Sequence, residues 1–182
     1  MASIYCESNL TDHDNLQCDQ WNMGGVTEWV IFKDDATTTD YTDGTTILAD
    51  IAAGRAFLAT GFALDMPAAI GKTIADPVFN TPSTVGYDRT LTITDWQTTA
   101  NNNNNHYNDL NRFVAKAFLL YEPLSGTPRS TLVSDTDNGI RFDVSRIIPQ
   151  SNGEAQSFAG TAAWSAYDMP TIQEIPVGVF NQ

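Results

Sequence analysis

Between Val85 and Trp96 the chain reads V-G-Y-D-R-T-L-T-I-T-D-W, and no other stretch restricts the fold as tightly. Its odd positions, Tyr87, Arg89, Leu91, Ile93 and Asp95, centre on apolar residues. Its even positions, Asp88, Thr90, Thr92 and Thr94, form a ladder of polar, mostly β-branched side chains ending at Trp96. A period of two with β-branched filling is the pattern of a half-buried strand, with a core under one face. Nothing in the stretch is an evident catalyst.

Other segments extend the same pattern. Val26 to Lys33 (V-T-E-W-V-I-F-K) is apolar on both parities, so a strand there belongs in a central or doubly covered position. Arg55 to Phe62 and Ser157 to Tyr167 read as strands, the latter with Phe158, Ala162 and Trp164 on one face. Asn138-Gly139 separates S-T-L-V-S-D from I-R-F-D-V-S-R-I-I, which predicts a type I′ hairpin whose second arm turns Ile140, Phe142, Val144 and Ile148 to one side. The segment D-G-T-T-I-L-A-D-I-A-A-G predicts a short helix capped by Thr45 or Thr46, with Ile47, Leu48 and Ile51 on its face and Gly54 as the left-handed terminator. Asp34 to Asp43 reads as a Thr/Asp-rich loop, and Asn101 to Asn105 as an exposed loop. His106 to Arg112 reads as one or two helical turns, with His106 solvated or at the helix start. The apolar run Phe113 to Glu122 fits a helix or a buried strand, and a short helix passing into a strand is the favoured form.

These elements predict a mainly β protein: an antiparallel β-sandwich or barrel with one or two short helices, long loops and extended terminal arms. The expected organisation is an N-terminal arm over 1–25, a β domain over 26–168 and an extended C-terminal tail over 169–182. Pro67, Pro77 and Pro82 mark 65–82 as an irregular excursion from the domain.

Charge narrows the function. Nine Lys and Arg stand against 22 Asp and Glu, a net charge of −13. No basic stripe forms, so binding to nucleic-acid phosphates and to anionic membranes is disfavoured. Apolar runs are too short for a bilayer, and Met1 to Cys6 carries no basic and apolar leader, so the expectation is a soluble chain made in the cytoplasm.

Chemical motifs are weak throughout. Ile70-Gly71-Lys72-Thr73 matches the end of a P-loop, but Met66 stands where its first glycine belongs. Asp135-Thr136-Asp137 resembles a calcium loop, but Gly139 and Arg146 occupy positions that need oxygen ligands, and the hairpin explains the same residues. The two histidines, His13 and His106, lie beside no nucleophile signature. Cys6 and Cys18 flank Asp12, His13 and Asp14; free or locally packed thiols, a disulfide and a Cys/His/Cys metal site are all open to them. Trp96, Tyr107 and Trp164 are sugar-platform or core aromatics. No catalytic, cofactor-binding or metal-ligating residue is assigned, no cofactor is implied, and a non-enzymatic role is expected.

One resemblance runs along most of the chain. An N-terminal Cys with Asp12-His13, a helix ending I-A-A-G, the strand G-Y-D-R-T-L-T-I-T-D, H-Y-N-D before an apolar strand, and a strand leading into a Pro-containing tail together resemble a family of virion structural proteins of tailed phages infecting Bacteroidetes-type hosts, and the wider tail-tube fold. The resemblance implies a virion subunit that self-assembles through strand edges and terminal arms, meets other virion proteins, and stacks as rings around an acidic lumen along which DNA slides. Assembly contacts are then expected in the Cys6–Cys18 arm, the Asp65–Pro82 excursion and the C-terminal tail. A capsid decoration or head-fibre protein, and a carbohydrate-binding β-sandwich module using Trp96 or Trp164, are the alternative roles.

Overall fold

The computed structural model describes residues 26–75, 82–122, 129–134, 138–150 and 154–180, which form nine strands and two short helical segments. Strands β1 (Val26–Lys33), β2 (Ala56–Asp65), β4 (Pro82–Asp95), β5 (Val114–Glu122), β7 (Ile140–Ile147) and β8 (Ser157–Ala166) pair antiparallel in the order β1-β2-β4-β8-β7-β5, and β5 pairs back onto β1. Six strands thus make a closed circuit, the barrel alternative of the sequence expectation. The circuit is narrow at two seams, where β7 meets β5 over two residue pairs and β2 meets β4 over four.

The period-two reading of β4 holds. Leu91, Ile93 and Asp95 are buried, Arg89 nearly so, and Thr90 and Thr92 face outward. β1 has apolar residues on both parities because both of its faces are covered. Trp29 and Ile31 enter the barrel with Phe118, Phe142, Phe158 and Trp164. Val30 and Phe32 point out and meet Ile47, Leu119, Val179 and Phe180. Inside, Trp29 meets Phe118 and Phe142 edge-on at 6.0 and 5.8 Å, and Phe118 meets Trp164 at 5.4 Å. Such pairs each add about 0.5–1.5 kcal/mol to the area they bury.

The outer core is closed by α1 (Gly44–Ala52) and by the chain's last described residues. The cap of α1 is Asp43, not Thr45 or Thr46: its carboxylate accepts from the Thr45 N–H at 2.9 Å. A carboxylate at that position also faces the positive end of the helix dipole. Gly54 terminates the helix at φ +69°, as expected. Residues 169–182, expected as an extended tail, return to the domain in their described part. There β9 (Thr171–Gln173) pairs with β6 (Arg129–Ser134), and Val179 and Phe180 are buried.

Three local expectations about the strands are corrected. The excursion 65–82 contains a regular strand, β3 (Ile70–Ala75), which pairs with Pro82–Asp88 of β4. It gains ladder hydrogen bonds without burying an apolar face, so no hydrophobic period announces it. Asn138-Gly139 does lie between two strands, yet β6 and β7 pair with β5 rather than with each other. Gly139 has φ +69°, and a Cβ there would run into Val114 of β5, so the glycine lets the chain cross against β5. Ile148 falls beyond the end of β7 and is exposed.

The asparagine run is helical. A π-helical turn, Asn102–His106, leads into α2 (Tyr107–Leu110). Asparagine's cost in a helix is offset by its own side chains. Asn105 Nδ2 donates to Asn101 Oδ1 at 2.9 Å, Asn108 Nδ2 to Asn104 O at 3.0 Å, and Asn102 Nδ2 to the Gln97 carbonyl at 2.9 Å. His106 is buried within this turn, not solvated.

Candidate functional site

The two ends of the barrel differ, and β4 carries a buried charge toward each. Asp95 and Arg89 are six residues apart on the inward face, about 20 Å along the strand.

The Asp95 end is plugged. Tyr107 and Leu110 of α2 insert into the barrel core, and Asn111 ties the helix to β7 by donating to the Val144 carbonyl at 2.7 Å and accepting from its N–H at 2.9 Å. Asp95 Oδ1 accepts from the Gln97 N–H at 2.7 Å, and Oδ2 accepts from the Tyr107 hydroxyl at 2.7 Å. Burial, with the Asp95 charge and their hydrogen bond, pushes the Tyr107 phenol far above its ordinary range, so it remains a donor. Gln97 Nε2 reaches the Thr60 carbonyl at 3.0 Å, and the His106 ring stands edge-on to Tyr107 at 4.9 Å. Asp95, Gln97, His106, Tyr107 and Leu110 are buried there. The arrangement ties the helix across this end of the barrel.

A second buried carboxylate fastens the outer layer. Asp50 of α1 accepts from Thr37 Oγ1 at 2.7 Å, from Thr38 N–H at 2.8 Å and Oγ1 at 2.7 Å, and from Arg55 Nε at 2.8 Å. Burial alone would raise its pKa, but the donors from Thr38, Thr37 and Arg55 outweigh burial and hold it well below the usual carboxylate range. Its chemistry is that of a fastener for the 34–43 loop.

The Arg89 end is open. β7 pairs with β5 only at Val114 and Ala115, and beyond that point β6 takes the β5 edge. β8 ends opposite Tyr87, whereas β4 continues back to Pro82 paired with β3. Two flaps therefore leave this end: the β3–β4 hairpin and the β6–β9 pair. A cleft of about 610 Å³ lies between them. The hairpin projects about 17 Å past the last β8 partner, and Ile70 (73% exposed), Ile74 (57%) and Val85 lie open on it. Tyr167 and Met169, also exposed, stand at its base on the cleft wall.

The residues singled out in the sequence do not converge. Cys6, Asp12, His13, Asp14, Cys18, Asp135 and Asp137 lie outside the described residues. Gly71-Lys72-Thr73 lies within β3, an exposed strand, and the next element among the described residues is β4 and not a helix, which gives the weak P-loop match no support. Trp96 is 53% exposed but Trp164 is 5% exposed inside the barrel, so the two form no common sugar platform. Among the described residues there is no cluster of three metal-ligating side chains, and no helix is long and apolar enough to cross a membrane. What the sequence reading missed is the burial of Arg89, opposite Trp164 in the β4–β8 register. Its only signal was a cation on the apolar parity of β4.

The fold thus defines a mainly antiparallel β-barrel protein with a projecting hairpin. Comparison with protein-family models, curated proteins and solved structures finds no match to this chain.

Proposed function

We propose that this protein is a non-enzymatic structural subunit that self-assembles, with the β3–β4 hairpin reaching into a second copy of the chain. The hairpin is the observation that carries the reading. Its β3 strand has no second strand partner among the described residues, and its aliphatic side chains Ile70 and Ile74 are exposed. An uncovered strand edge beside exposed aliphatics is a liability that proteins blunt unless another chain covers it. The barrel behind it is plugged at the other end and supplies a rigid mount.

Together with the resemblance noted above, this favours a virion subunit of the tail-tube type, stacking as rings. The net charge of −13 suits that role, because an acidic lumen repels DNA phosphates and leaves the genome free to slide. A decoration or fibre subunit would use the same hairpin in a closed oligomer. The exposed Trp96 alone does not favour the carbohydrate-binding alternative.

Sedimentation velocity over a wide concentration range tests the reading. The wild-type chain is expected to gain mass with concentration, and the Ile70→Asp/Ile74→Asp variant to stay monomeric with an unchanged circular dichroism spectrum. A wild-type chain that stays monomeric throughout, or a variant that assembles equally well, would overturn it.

A further inference from the structure

Exposed large hydrophobic side chains gather at both ends of the barrel, and the hairpin accounts for one end only. Ile70, Ile74 and Val85 stand on the hairpin, while Trp96 (53% exposed), Ile147 (48%) and Ile148 (63%) stand at the opposite end. The strand register brings this second group together. Asp95 pairs with Phe158, and Ser157, one residue before Phe158, pairs with Ile147. Trp96 follows Asp95, so it stands across the start of β8 from Ile147, two strand spacings or about 10 Å away. Trp96 keeps the outward parity of Thr90 and Thr92, and Ile147 that of Arg141 and Asp143. Ile148 extends the group past the end of β7. A lone exposed apolar side chain is ordinary, but three together on the rim of a strongly charged chain point to a contact surface.

Neither group can cover the other within one chain. Between Tyr87, the last β4 residue paired with β8, and Asp95 the strand runs about 27 Å, and the hairpin continues away from the trio. The two groups thus lie at opposite ends of one strand. A second copy moved along that strand brings its plugged end onto the hairpin of the first. The charges on the two sides are complementary. Lys72 is the only cation between Ile70 and Asp88, and Glu154, three residues before Ser157, is exposed. Arg146 borders Ile147, and exposed Asp88 stands at the base of the hairpin. None of these four forms an ion pair with a described residue of its own chain.

We propose that Trp96, Ile147 and Ile148 form the surface that receives the β3–β4 hairpin of a second copy, so that chains join head to tail. The inference rests on the hairpin being the assembly element and adds its receiving surface. The indole offers a broad apolar face to Ile70 and Ile74. A contact between two different patches is heterologous, and each added copy presents a fresh hairpin or a fresh trio. Two hairpins meeting each other would instead close after two copies and leave the trio in water.

Sedimentation velocity on two full-length variants and their mixture is the test. Ile70→Asp/Ile74→Asp loses the apolar face of the hairpin and keeps the trio; Trp96→Ala/Ile147→Asp/Ile148→Asp loses the trio and keeps the hairpin. Each alone is expected to stay monomeric where the wild type gains mass. Mixed one to one, they should form a species of two chains and nothing larger, because one intact hairpin meets one intact trio. If the triple variant loses the wild-type circular dichroism spectrum, Ile148→Asp takes its place, since that residue lies outside the β7 ladder. It should need at least about tenfold more protein to gain mass, the effect of one aliphatic side chain lost from the contact. A trio variant that gains mass like the wild type overturns the proposal and leaves assembly through the hairpin standing, and so does a mixture that stays monomeric. A hairpin variant that assembles, or a wild type that never does, removes the assembly reading itself and this inference with it.

Discussion

Replacing Asp50 by asparagine puts the outer layer of the barrel to a quantitative test. The side chain is fully buried and its two oxygens accept four hydrogen bonds, one from Arg55. Asparagine keeps the volume but carries one acceptor oxygen, and its amide group opposes donors where a carboxylate met them. Removing one partner of a buried, hydrogen-bonded ion pair costs about 3–5 kcal/mol. Arg55 is a third exposed, and water screens part of its loss, so the lower end applies, about 3 kcal/mol. For a domain of this size that corresponds to a fall in Tm of about 6–12 °C. The sign of the pH dependence follows from the depressed pKa. Asp50 stabilises the fold above the unfolded carboxylate range near pH 4, and that contribution fades as pH falls toward the folded value. Urea unfolding of wild type and Asp50→Asn at neutral pH and in acid should show a gap of about 3 kcal/mol that narrows below about pH 4. A neutral-pH difference under about 1 kcal/mol, or a gap that widens in acid, would refute the reasoning.

Tyr107→Phe removes one of the two hydrogen bonds described on Asp95 and should cost about 1–3 kcal/mol by urea unfolding. Because the phenol's folded pKa is raised, wild type should also lose stability as pH rises beyond about 10, a loss the variant lacks at this group. Trp164→Ala should cost about 3–5 kcal/mol as a core truncation, whereas Trp96→Ala should stay within about 0.5 kcal/mol; calorimetry distinguishes them. Gly160→Ala places a Cβ against the Asp143 backbone of β7 and should destabilise by about 1–3 kcal/mol in the same assay.

Strands with one buried face announced themselves. In β4, β7 and β8 the alternation of residues such as Leu91, Phe142 and Trp164 reports directly on a core side and a solvent side. The doubled apolar parity of β1 reported its two covers equally well. Elements that bury little left no such trace. β3 is held by its ladder to β4 and exposes Ile70 and Ile74, so the flanking Pro67, Pro77 and Pro82 dominated the reading. The asparagine run became helical because Asn102 reaches Gln97 and His106 is buried, contacts made by the fold and not by propensity. Asn138-Gly139 does lie between two strands, but that position does not say which strand the chain pairs with afterwards. The candidate site was half legible for the same reason. The parity of Arg89 and Asp95 placed both inward, yet only the passage of the β5 edge from β7 to β6 and of β4 from β8 to β3 opens one end.

Electron microscopy of the concentrated wild-type chain bears most directly on the central claim that the barrel is a self-assembling subunit. Rings, or stacks of rings, in which the β3–β4 hairpin of one copy lies against the next are the expected result. Uniform single barrels with the hairpin in solvent would contradict it.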